Sequence, residues 1–154
     1  MDTERKSRDY FAEMYVAGIS ADKGWNVYFP RRDKGFDFVI TKVVGNRTVL
    51  RPVQVKGKYP KKGKTNKSVY GYMGKLSELH DDIVLAIPFF SDDHATKSPE
   101  YVAYVPRSQI KPQASRGFQC QPAKFNSGRV VPRESYERYF DAPGIQLMES
   151  EDWR

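Results

Sequence analysis

The sequence predicts a mixed α/β fold of the α+β kind, a mixed sheet flanked by helices. Three observations carry it. Tyr10, Phe11, Met14, Tyr15 and Ile19 recur near helical spacing ahead of Gly24. Residues 25–56 then fall into segments rich in β-branched and aromatic side chains, joined by short connections. Residues 83–90 are apolar without a break, the pattern of a strand covered on both faces.

In chain order, the periodicity predicts a first helix over residues 3–22, with Asp2 or Thr3 as its cap and Gly24 as its end. Strands are expected over 25–29, 36–43 and 48–56, with Val44-Gly45-Asn46-Arg47 as a hairpin turn and so antiparallel neighbours. Residues 57–65 are rich in Gly and Lys and read as a loop. For residues 66–79 the pattern fits either a strand or a helix, and a short strand at 68–72 followed by a helical turn near 77–82 is expected. Two more strands, 83–90 and 101–105, flank a polar loop, and 106–110 reads as a turn leaving the second of them. Residues 111–131 show little periodicity. Pro132 would open a short helix to residue 140, and the acidic tail 149–154 is expected to fray. At 154 residues this is one domain, 1–154, with a core over about 5–110 and a C-terminal extension over 111–154.

Hydrophobic content of 39%, with 14% aromatics, supports a packed core and speaks against disorder. A single cysteine, Cys120, excludes an internal disulfide framework and points to a reducing, cytoplasmic setting. The first residues lack the apolar stretch of a signal peptide, and the longest apolar run is 8 residues, so no membrane association is expected.

The candidate chemistry lies in Gly35-Phe36-Asp37-Phe38-Val39-Ile40 and Pro52-Val53-Gln54-Val55-Lys56, with Gln54 17 residues after Asp37. Strand alternation turns Val53 and Val55 toward a core and puts Gln54 and Lys56 together on the other face. If the strands pair, the Asp37 carboxylate, the Gln54 amide oxygen and the Lys56 ammonium converge. Hard oxygen ligands for Mg²⁺ or Mn²⁺, with a cation near the attacking water, are what metal-assisted phosphodiester hydrolysis requires.

In this order and spacing the chain resembles the PD-(D/E)XK nuclease superfamily, which includes restriction endonucleases, Holliday junction resolvases and some homing endonucleases. The resemblance implies an α-β-β-β-α-β core with an acidic residue on the first helix, an Asp at the second strand and (Asp/Glu)-x-Lys on the third. Glu13, 11 residues before Gly24, takes the first place, Asp37 the second, and Gln54-Val55-Lys56 the third. It further implies a catalytic set of Glu13, Asp37, Gln54 and Lys56, with the metal held by Asp37, the Gln54 oxygen and the Val55 carbonyl. Gln54 departs from the usual carboxylate; Gln-x-Lys resembles a minority form, and a neutral ligand gives the metal one less negative charge. The implied activity is that of a metal-dependent DNA endonuclease or resolvase-like phosphodiesterase, with a homodimer as one working form.

The charge pattern points to a nucleic acid, DNA first. Residues 42–75 hold ten Lys or Arg and no acid, leaving 16 basic and 19 acidic residues elsewhere. A solvated face mixes signs, whereas a one-sign block suits a polyanion. Within it Lys58, Lys61, Lys62, Lys64 and Lys67 are the candidate phosphate contacts, and Tyr59, with Tyr70 and Tyr72, either stacks on bases or edges the core. His80 and His94 are the only histidines and do not match a zinc pattern. There is no Gly-x-Ser-x-Gly, P-loop or dinucleotide fingerprint. Two other readings compete: an inactive nucleic-acid-binding module or subunit on the same fold, which Gln54 favours, and a basic RNA-associated structural protein, which rests on charge alone. Each phosphate contact releases counterions, so replacing Lys61, Lys62 and Lys64 with alanine should lower the slope of log affinity for DNA against log salt by about 2 to 3. An unchanged slope in a salt titration would place the nucleic acid elsewhere.

Overall fold

Gly24 ends the first helix by its backbone. With φ at +90°, it lets its own N–H reach the Ala21 carbonyl and the Trp25 N–H reach the Ser20 carbonyl, a Schellman motif that turns the Trp25 ring into the core. In the computed structural model of the protein, residues 2–32, 35–60, 66–74, 80–91, 98–113 and 117–154 are described, with backbone alone for 2–8, 66–74 and 113.

Helix α1 (Asp2–Asp22) leads into β1 (Asn26–Tyr28), β2 (Phe38–Val44) and β3 (Arg47–Val55), an antiparallel meander. Val44 pairs with Arg47 across a two-residue turn, and Gly45 supplies the positive φ, 64°, that a type II′ turn needs at its first position. The chain then passes through β4 (Asn66–Gly74) before β5 (Val84–Phe89) joins β3 in parallel, and β6 (Tyr101–Pro106) pairs antiparallel with β5. The five-stranded mixed sheet runs β1-β2-β3-β5-β6.

A second sheet forms from β4, β7 (Lys111–Gln113), β8 (Gly117–Asn126) and β9 (Arg129–Pro132), all pairing with β8. The β8–β9 turn places both Ser127 and Gly128 at positive φ, the type I′ pattern. A 3₁₀ turn (Glu134–Tyr139) and helix α2 (Asp141–Leu147) close the chain.

Alternation along β5 divides the core. Val84 and Ala86 join Val53 and Val55 in a cluster with Ala12 and Val16 of α1 and Ile145 and Met148 near α2. Leu85 and Ile87 face Cys120, Ala123 and Phe125 of β8 and Val130 of β9. Helices thus cover one face of the first sheet and the second sheet covers part of the other.

Several expectations are corrected. Asp37 precedes β2 and Lys56 follows β3, one residue outside each strand. Residues 111–131, expected to be irregular, build most of the second sheet, and the extension is core. Pro132 ends β9 and does not open a helix, and a 3₁₀ turn follows it. Residues 80–82 form a turn; 75–79 lie outside the described residues.

The tail does not fray. Trp153 is 3% exposed and its Nε1–H donates to the Ile83 carbonyl at 3.1 Å. Arg51, 6% exposed, donates to the Met148 carbonyl at 2.9 Å and the Ser150 carbonyl at 2.8 Å, with Asp82 at 3.9 Å. Burial pulls its guanidinium below the ordinary range, and Asp82 opposes that. Lys42 pairs with Glu149, and Arg47 with Glu151. Arg51→Met leaves the Met148 and Ser150 carbonyls without their donor, while Asp82 keeps Arg154, and should cost about 2 to 3 kcal/mol in urea unfolding. Glu149→Gln, at a half-exposed pair, should cost less than about 1 kcal/mol. An Arg51→Met protein as stable as the parent would mean that Trp153 and the Lys42 and Arg47 contacts hold the tail without it.

Candidate functional site

The site forms where β3 outlasts its pairing with β2. The register ends at Phe38 opposite Val53, while β3 continues to Val55. Asp37 fills the gap. Its backbone N–H donates to the Val53 carbonyl at 2.8 Å, and its Oδ2 accepts the Val55 N–H at 2.7 Å. The residue therefore brackets Gln54, with its carboxylate beside the peptide joining Gln54 to Val55. Gly35, with φ at +98°, provides the bend that brings the chain to this position.

On its other edge β3 is held by β5. Gln54 pairs with Leu85, Val55 pairs with Ala86, and the Lys56 N–H donates to the Ala86 carbonyl at 2.9 Å. Backbone groups of alternate residues point to opposite edges, so the Val55 carbonyl leaves on the side of its N–H, toward Asp37. The pairing partner Leu85 places Gln54 on the face toward the second sheet, and Lys56, two residues on, shares that face.

Gln54 Oε1 is buried and accepts no hydrogen bond. A buried amide oxygen without a donor costs about 1–3 kcal/mol, a deficit that a cation or a substrate donor would remove. This orphaned oxygen, the Asp37 carboxylate and the Val55 carbonyl form an all-oxygen donor set suited to a hard divalent cation. The residues fit such an ion. Among the described residues no group of three or more His, Cys, Asp or Glu could hold a metal, so only a set that includes amide and carbonyl oxygens remains.

Glu13 lies on α1. Its neighbour Ala12 is buried in the core on the helical side of the sheet, opposite the face of Gln54 and Lys56. The contact of α1 with the site is at Gly57, where a Cβ would come within 3.2 Å of the Ala12 Cβ. Glycine after Lys56 is what lets the helix approach the end of β3, a signal visible in the sequence but not used. Glu13 itself is half-buried on α1.

Tyr59 stacks on Phe90 with ring centroids 4.6 Å apart and planes 7° from parallel, so one ring face is occupied. Lys58 lies beside it on the chain, its N–H donating to the Pro88 carbonyl at 2.9 Å. Lys61, Lys62 and Lys64 lie outside the described residues, and Lys67 is placed on β4 by its backbone. His80 accepts the Asp82 N–H at Nδ1, a turn-capping role. His94 lies outside the described residues. Among the described residues no helix is long and apolar enough to cross a membrane. Compared with protein-family models, curated proteins and solved structures, the chain matches none of them.

The bond from Val55 to Asp37 separates two roles of this carboxylate. Asp37→Asn keeps an acceptor for the Val55 N–H and should melt close to the parent. Asp37→Ala orphans that N–H and should lose about 1–3 kcal/mol. Both variants lose the charge and should lose any metal-dependent activity. Activity persisting in Asp37→Asn would restrict Asp37 to the fold.

Proposed function

We propose that the protein is a metal-dependent phosphodiesterase acting on DNA, an endonuclease or resolvase-like enzyme on a restriction-endonuclease-like core. One observation carries this reading: the buried, unpartnered Gln54 Oε1 belongs to the strand end whose Val55 N–H is held by the Asp37 carboxylate and which Lys56 follows. The parallel β3–β5 pairing after an antiparallel meander supports it, although between those strands, where the implied core has a helix, the described residues form β4. Of the ten-charge basic block Lys42, Arg47 and Arg51 are paired with acids, and the other seven, Lys56 among them, supply the attraction for a polyanion.

Asp37, Gln54 and the Val55 carbonyl would hold Mg²⁺ or Mn²⁺. Bound there, the ion supplies Lewis-acid polarisation of the phosphate and a more acidic water. Asp37 fixes the geometry of the set, because its Oδ2 is tied to the Val55 N–H and the strand end cannot drift. Lys56 places an ammonium beside the reacting phosphate, where it orients the attacking water and offsets the charge that grows on the non-bridging oxygens. Water oxygen would bond to phosphorus and give up a proton to solvent as the bond to the leaving sugar oxygen breaks, and the leaving oxygen would take a proton from solvent.

The alternative, an inactive DNA-binding module on the same fold, is favoured by the neutral Gln54 and by the absence of a three-carboxylate cluster among the described residues. Supercoiled plasmid with Mg²⁺ or Mn²⁺ and an EDTA control separates the two. Lys56→Ala should abolish nicking while DNA binding stays within about twofold, since the lysine acts mainly in the transition state. Gln54→Glu should tighten metal binding, and Gln54→Leu should remove activity. A wild type that never cuts, with Gln54→Glu gaining neither metal affinity nor activity, establishes the binding module.

A further inference from the structure

Pairing with β5 does not stop where β3 ends. Val55 lies opposite Ala86, and the Lys56 N–H donates to the Ala86 carbonyl at 2.9 Å. Beyond it the Lys58 N–H donates to the Pro88 carbonyl, and the Phe90 N–H to the Lys58 carbonyl, each at 2.9 Å. Lys58 thus bridges Phe89 in the same parallel register. Gln54, Lys56 and Lys58 form one row on the sheet, beside Leu85, Ile87 and Phe89. Those three apolar residues are at 0% exposure, sealed by β8 through Cys120, Ala123 and Phe125. The row beside them stays half-exposed at all three positions, so it runs along the margin of the second sheet. Gly57 faces the other way, where a Cβ would come within 3.2 Å of the Ala12 Cβ on α1.

We infer that Lys58 is a second phosphate-binding position, which holds the phosphate of the nucleotide next to the one cut at Lys56. The substrate is then a polynucleotide strand laid along this row, and not an isolated phosphodiester. The inference rests on the proposed phosphodiesterase reading and names what the site takes beyond the reacting group.

Spacing carries it. Two residues along a parallel strand advance about 6.6 Å, close to the step between successive phosphates on one nucleic-acid strand. The backbone bonds at Lys56 and Lys58 fix that interval between their Cα atoms. An ammonium on a four-carbon stem then reaches a phosphate oxygen without demanding one geometry. Chemistry selects the occupant. The row begins at Gln54, whose unpartnered oxygen belongs with Asp37 to the all-oxygen set, and a hard cation held there recruits phosphate oxygens. Residues 42–75 contain no acid, so the segment supplying the row carries one sign of charge. An acidic peptide would need an edge to pair with, and β3 offers none: β5 holds one side, and β2 with Asp37 the other.

Cleavage of an oligonucleotide duplex and of bis(p-nitrophenyl) phosphate, a diester with a single phosphate, separates the two lysines. Lys58 pairs through its backbone, so Lys58→Gln and Lys58→Arg keep that pairing. Lys58→Gln should lower the ratio of kcat/KM on the duplex to kcat/KM on the diester roughly fivefold, with the loss in KM, the size of one solvent-exposed ion contact. Lys58→Arg should restore the ratio. Lys56→Gln should lower kcat on both substrates and move the ratio little. In EDTA, where nothing is cut, Lys58→Gln should lower the slope of log duplex affinity against log salt by about 0.9. An unmoved ratio in an active enzyme, an unchanged salt slope, or polyglutamate bound more tightly than DNA of equal charge would overturn the inference, the last marking an acidic-peptide site. A protein that cuts neither substrate but shows the lowered slope in EDTA keeps the phosphate contact and loses the catalytic reading.

Discussion

β3 must satisfy hydrogen bonds along both edges, and it does so with two partners that do not end together. β2 releases it at Phe38–Val53, while β5 holds it through Val55 and on to the Lys56 N–H. The unpaired stretch would leave the Val55 N–H without an acceptor inside a packed domain, a cost of about 1–3 kcal/mol. Asp37 supplies that acceptor from its side chain. A carboxylate is thereby fixed at a strand end, next to an amide oxygen and a lysine. A mismatch in strand length thus sets the position of the Asp37 carboxylate.

The rest of the molecule keeps this strand in place. Valines 53 and 55 are buried against α1 and the α2 region, and Arg51 on the same face grips the carbonyls of the chain end. Gly57 lets α1 close on the strand exit at Ala12. On the other face the second sheet seals β5 but stops short of the meander, so the donor atoms sit at the margin between a covered and an open surface. A site needs that margin: burial strengthens electrostatic contacts, and openness admits a polymer.

Much of the first sheet was legible from local pattern. Helical spacing before Gly24, the Gly45-Asn46 turn and the unbroken apolar run of β5 each specify their element from within a few residues. The pairing of Gln54 and Lys56 on one face was equally readable, because strand alternation has a fixed period. The second sheet was not. Lys111–Gln113 is too short to show a period, and β8 breaks alternation where Pro122 and Ala123 are both buried. β7 and β9 pair with β8 across short turns, and only β4 reaches β8 from far along the chain, a partner that no local window contains. The tail misled for a related reason: its acids read as solvated, yet Lys42 and Arg47 lie opposite them in space.

The central claim is that Asp37, Gln54 and the Val55 carbonyl form one cation site completed by DNA. Paramagnetic broadening by Mn²⁺ in amide NMR spectra, recorded with and without an uncleavable phosphorothioate DNA, tests it most directly. With DNA present, the Gln54 side-chain amide and the Val55 and Lys56 backbone signals should broaden first at low Mn²⁺, and without DNA the effect should need far more metal. Broadening centred elsewhere, or none near residues 54–56 with DNA bound, would contradict the account.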